Sequence, residues 1–136
     1  MARSERGASA VEFAIVLPVL FLVVAGIVDF GRAYFTQIEL TNAAREGARA
    51  AVVLPIGSTP APSTEVPARV SAALPGVADA VIASNLCPST NGSSVKATVT
   101  VSRPFQWIVL GPAMKIMRGN LADGTISATG VMQCGG

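Results

Sequence analysis

Few side chains in this chain of 136 residues could do chemistry. It has no His, which removes the commonest general base, proton shuttle and zinc ligand. Glu65, Asp79 and Asp123 are scattered through loops and read as solvated surface groups. Gly-rich phosphate loops are absent, and the basic residues form no stripe suited to nucleic acid. Cys87 and Cys134 lack the CxxC spacing of a redox pair, and two Cys without His make a poor zinc site. One group stands apart. Glu12 sits directly before Phe13 to Val28 (FAIVLPVLFLVVAGIV), in which every residue is apolar, Gly or Pro. An ionisable group in a membrane segment costs at least about 2.5 kcal/mol and usually marks a function.

Composition agrees that part of the chain meets lipid. Charged residues make up 13%, against about 25% in a soluble domain. Net charge is +2, and mean hydropathy is +0.55. The length suits one small domain and leaves no room for a large two-domain enzyme. Sixteen helical residues reach roughly 24 Å at about 1.5 Å each, somewhat less than the approximately 30 Å hydrocarbon slab. Counting Ala8 to Val11 lengthens the run but places Glu12 inside it. A secretory signal peptide fits the basic start MARSERG, yet Glu12 spoils the entrance to its core and the following sequence continues as helix. A plain anchoring helix explains the apolar run but neither Glu12 nor the residues around Gly7.

A third reading comes from residues 6 to about 51. RGASAVEFAIVLPVLFLVVAGIVDFGRAYF, followed by TNAAREGARAA, resembles the amino-terminal region of TadE-like proteins, the pseudopilins of tight-adherence pilus systems. The resemblance implies a pilin-like fold and a cut by a membrane-embedded prepilin peptidase between Gly and a small residue. Glu and an aromatic are then expected at the fifth and sixth places after the cut. Gly7, Ala8, Glu12 and Phe13 occupy those positions. The implied partners are the membrane, the prepilin peptidase, a pilus assembly platform and other pilin subunits. No nucleic acid, small-molecule substrate, cofactor, metal or catalytic role is expected. The alternative is a single-span, membrane-anchored extracytoplasmic binding protein outside any pilus.

The motif has its own physical rationale. A cut after Gly7 exposes an ammonium on Ala8, and a helix starting there brings Glu12 within i, i+4 reach. The two charges then neutralise each other within one subunit or between neighbours. Arg3 and Arg6 precede the span, and Arg32 behind it is partly balanced by Asp29. This bias predicts a single-pass protein of the cell membrane with a cytoplasmic amino terminus and an extracytoplasmic remainder.

The expected fold class is α+β, a long amino-terminal transmembrane helix followed by a small antiparallel sheet. Residues 1–7 form the leader, 8–54 the long helix with its transmembrane part at 13–28, 55–67 a linker, and 68–136 the head. Ile27, Phe30, Tyr34, Ile38 and Thr41 continue the helical period, with Arg32, Gln37, Glu39 and Asn42 between them. Ala43, Ala44, Gly47, Ala48 and Ala51 form a small-residue face suited to close packing on other helices or on the chain's own head. Pro55, Gly57, Pro60, Pro62 and Pro67 end the helix, and Ala68–Leu74 forms a short second one. Val95, Ala97, Val99 and Val101 alternate with polar residues, predicting a half-buried strand at 95–103. Weaker strands are expected at 80–86 and 125–134, the latter with its parity broken near Gly130 and Val131. Asn91 and Gly92 mark a turn. Phe105 to Met117 is apolar but cut by Gly111 and Pro112; it is expected to cover the sheet or pack on the long helix, with a membrane-dipping or partner-binding patch around Trp107 as the alternative. In this topology Cys87 and Cys134 face an oxidising compartment and form one disulfide.

Overall fold

An uninterrupted apolar period carries the first helix, α1, from Arg3 to Val53, with Pro18 inside it. The computed structural model describes residues 3–54, 59, 61–77, 79–88, 95–119 and 123–134. The expected Asn91–Gly92 turn lies outside them. Helix α1 begins ahead of Ala8, where the sequence reading had placed a separate leader, and passes through Gly7 without interruption.

The second helix, α2, spans Pro62–Ala73. It starts earlier than the expected Ala68, so a linker over 55–67 is corrected for its last six residues, 62–67. Two local facts account for this. Ala61 is extended at the N-cap with Pro62 immediately after it, where a fixed φ favours helix and the missing N–H costs nothing. Pro67 does sacrifice a hydrogen bond in the second turn, but Val66 and Val70 on either side of it are fully buried. Packing overrides the local penalty.

Three antiparallel strands follow, β1 (Val81–Asn85), β2 (Lys96–Phe105) and β3 (Gly124–Gln133), in that order across the sheet. The strong alternation of β2 appears as expected, with Ala97, Val99 and Val101 buried on one face. Opposite them on β3 stand Met132, Gly130 and Ala128. The parity of β3 therefore runs unbroken from Ile126 through Gly130 to Cys134, and the supposed break is a correction. Gly130 keeps the inward phase but carries no side chain, because the helix backbone lies on it.

The residues form two compact units. One comprises Ala33–Phe105 with Gly124–Gly136, and its core joins Leu40, Ala43, Ala44, Ala48 and Ala51 of α1 to Val66 and Val70 of α2, to Leu74 just after it and to the inward face of the sheet. The other joins α1 up to Arg32 with the excursion Gln106–Asp123, which contains a third helix, α3 (Leu110–Ile116). Packing on the long helix is thus realised for this segment.

Candidate functional site: the amino-terminal helix and its cover

Gly7, Ala8, Glu12 and Phe13 all lie on α1 and are exposed. A helix places Ala8 and Glu12 one turn apart on the same side, as the four-residue spacing requires. A Cβ built on Gly7 would meet nothing within 4 Å. From Phe13 to Val28 almost every large side chain is exposed. Within the helix from Gly7 to Val53 the most apolar stretch is 6% buried, and its length and composition suffice to cross a membrane. In water, so large an uncovered apolar surface would be strongly unfavourable.

The small-residue face has a definite use. Ala43, Ala44, Ala48 and Ala51 are buried in the core together with Gly47. A Cβ built on Gly47 would lie 2.6 Å from Val70 Cγ2 and 3.0 Å from Val99 Cγ1. The stripe thus seats the helix on the chain's own sheet and α2. Gln37, which the sequence pattern placed on the polar side, instead faces β3, where its Nε2 donates to the Ser127 carbonyl at 3.2 Å. The apolar positions Ile27, Phe30, Tyr34 and Ile38 stay exposed.

Asp29 is the polar centre of the first unit, and sequence reasoning had assigned it only a charge-balancing role. Its carboxylate is fully buried. Oδ2 accepts the N–H groups of Val109 at 3.0 Å and Leu110 at 2.7 Å, while Oδ1 accepts Arg32 Nη1 at 3.2 Å. These are the donors left over at the start of α3, whose own N-cap Val109 offers no side-chain acceptor. Burial opposes ionisation of this carboxyl, but the donors from Leu110, Val109 and Arg32 outweigh it and hold its pKa below the ordinary value. Around this hub, Arg32 Nη1 also donates to the Gln106 carbonyl at 3.5 Å, and Phe30 meets Trp107 edge to face at 5.3 Å. The only sequence signal was an acid at the end of the apolar run with Arg three residues on.

Two further ion pairs lie at the surface. Glu65 accepts Arg69 Nε at 2.7 Å along α2, which raises the guanidinium pKa, and Arg103 Nε meets Asp79 Oδ1 at 3.0 Å. Cys87 and Cys134 form a disulfide across 47 positions of sequence. Among the described residues no group of His, Cys, Asp and Glu could hold a metal ion.

The same helix that carries the Gly7, Ala8, Glu12 and Phe13 pattern also carries the likeness to known proteins. No curated protein and no solved structure matches the chain. Residues 7–49, from Gly7 through most of the small-residue face, match the family model described as TadE-like protein, so over that region the chain is similar to this family.

Proposed function

We propose that this chain is a minor pilin or pseudopilin of a tight-adherence pilus. It is inserted in the membrane by residues 13–28, cut after Gly7 by a prepilin peptidase, and used in pilus assembly or secretion instead of catalysis. The observation that carries this reading is the coincidence, within the family match, of the exposed residues Gly7, Ala8 and Glu12 with an uncovered apolar helix. Lipid first holds that surface. The helices of neighbouring subunits then take its place, and the exposed stripe Ile27, Phe30, Tyr34 and Ile38 extends the apolar face beyond the span. The new Ala8 ammonium and Glu12 neutralise each other within or between subunits, which lowers the cost of a carboxylate in a dry interface. A cytoplasmic amino terminus and an external head follow from Arg3 and Arg6.

Amino-terminal sequencing of membrane-extracted protein, from cells with and without an active prepilin peptidase, tests the proposal. The expected mature chain starts at Ala8 and has 129 residues, the 136 less the seven removed. A chain that keeps its leader in peptidase-competent cells would be a simple tethered protein, and one that begins after about Ala25 would be secreted.

A further inference from the structure

Segment 106–119 packs on the part of α1 that the membrane should occupy. Its helix α3 starts at the Asp29 carboxylate and runs over Pro18, Phe21 and Leu22, forming with them an apolar groove of about 500 Å³ that Pro112, Ala113 and Ile116 complete. Residues 18–22 are the middle of the stretch 13–28. Pro18 lies eleven positions from Asp29 along the helix, roughly 16 Å at about 1.5 Å each, which is half the hydrocarbon slab. With α1 inserted and α3 still docked, the seven residues of α3 would carry its end about 10 Å inward from the level of Asp29, into the hydrocarbon. Lys115 and Arg118 belong to that end, both are exposed, and neither makes an ion pair among the described residues. Unpaired cations below the surface are unfavourable, and in the docked position both side chains must stretch back toward the headgroups to stay hydrated.

We infer that the docked segment 106–119 and a fully inserted α1 exclude one another. On insertion the segment leaves Pro18–Leu22 and lies on the membrane surface beside the head, with its apolar side down and Lys115 and Arg118 against lipid phosphates. This inference rests on the reading of 13–28 as the span. The composition suits such a surface: 106–119 (QWIVLGPAMKIMRG) contains no acid, and Ile108, Ile116 and Met117 are exposed while docked, Ile116 by 85%. The fold permits the movement, because the segment leaves the sheet at Phe105 and returns at its register partner Gly124. Sheet register therefore does not depend on where the excursion lies.

Trp107 is the single Trp, so the whole chain can be given one reporter at a time. In a Trp107→Phe background, Ile116→Trp reports the end of α3 and Phe21→Trp reports the span. Each full-length protein is placed in phosphatidylcholine–phosphatidylglycerol vesicles with bromines either near the headgroups or near the acyl-chain ends. The Phe21→Trp reporter should be quenched more by the deep bromines, which tests insertion by itself. With insertion established, stronger quenching of the Ile116→Trp reporter by shallow bromines supports the inference. Stronger quenching by deep bromines means that α3 stays docked in the bilayer, and no quenching means that it does not bind the surface; either result overturns it.

Discussion

The carbonyl of Ala44 on α1 lies directly against Gly130 on β3, so close that a Cβ on that glycine would overlap the helix backbone. Three residues further along the helix, Gly47 meets Val70 and Val99 side chains in the same way, though less tightly. The helix is thus pressed onto the sheet and α2 at two points where a glycine on one side has no side chain to hold the other off. Gly130 stands opposite Val99 in the β2–β3 register, so both contacts bear on the same part of the sheet.

These contacts predict an order of sensitivity. Gly130→Ala must displace helix backbone, whereas Gly47→Ala displaces only methyl groups. Overpacking of a core costs typically about 1–3 kcal/mol, and Gly130→Ala should lie at or above the top of that range with Gly47→Ala inside it. Thermal unfolding of the detergent-solubilised chain with its disulfide intact measures both. Equal and small shifts would show that the helix is not seated at Gly130.

Asp29 should govern the docking of α3. Asp29→Ala leaves the N–H groups of Val109 and Leu110 without their acceptor, a loss of about 1–3 kcal/mol per unsatisfied buried donor, which the head does not share. Where the parent chain holds α3 docked, hydrogen exchange should quicken at 109–113 in this variant while amides of β2 and β3 keep their protection. The pH dependence has a definite sign. Because the carboxyl pKa is lowered in the folded protein from 3.8, its contribution is present at neutral pH and fades as acid takes the solution below that value. Protection that is lost on raising the pH instead would contradict the assignment.

Reduction should weaken the head markedly. The Cys87–Cys134 bond closes a loop of 47 residues, worth about 4 kcal/mol in the chain-entropy account. The double variant Cys87→Ser and Cys134→Ser should melt at lower temperature, and the parent chain should migrate differently on gels with and without reductant. Identical migration would mean that the bond is absent from the isolated protein.

Glu12 should matter for assembly and not for insertion. Glu12→Gln and Glu12→Ala keep the apolar run intact, so both proteins should reach the membrane and be trimmed. Fractionation with immunoblotting checks this. Counts of assembled fibres should fall for both variants, because the Ala8 ammonium then has no carboxylate partner. Normal fibre numbers in both would remove the charge-pairing role.

Much of this protein is written in local patterns. The uncharged run Phe13–Val28, the alternation of Ala97, Val99 and Val101, and two Cys beyond the apolar run each express a requirement for burial or exposure that a short stretch already contains. Even the small-residue face of Ala43, Ala44, Gly47, Ala48 and Ala51 could be read as a packing surface from its spacing alone. Its partner could not. The spacing allows another subunit's helix as readily as the chain's own sheet, and only the folded head shows that Val70, Val99 and Gly130 fill that place. Tertiary structure likewise decided that α2 begins at Pro62, since the burial of Val66 and Val70 offsets a proline that local rules treat as a stop. It also decided what Asp29 does, for its donors are 80 and 81 positions away in sequence. Periodicity records which side of an element must be covered. The choice of cover depends on shape and on unsatisfied polar groups that meet only when distant segments are brought together.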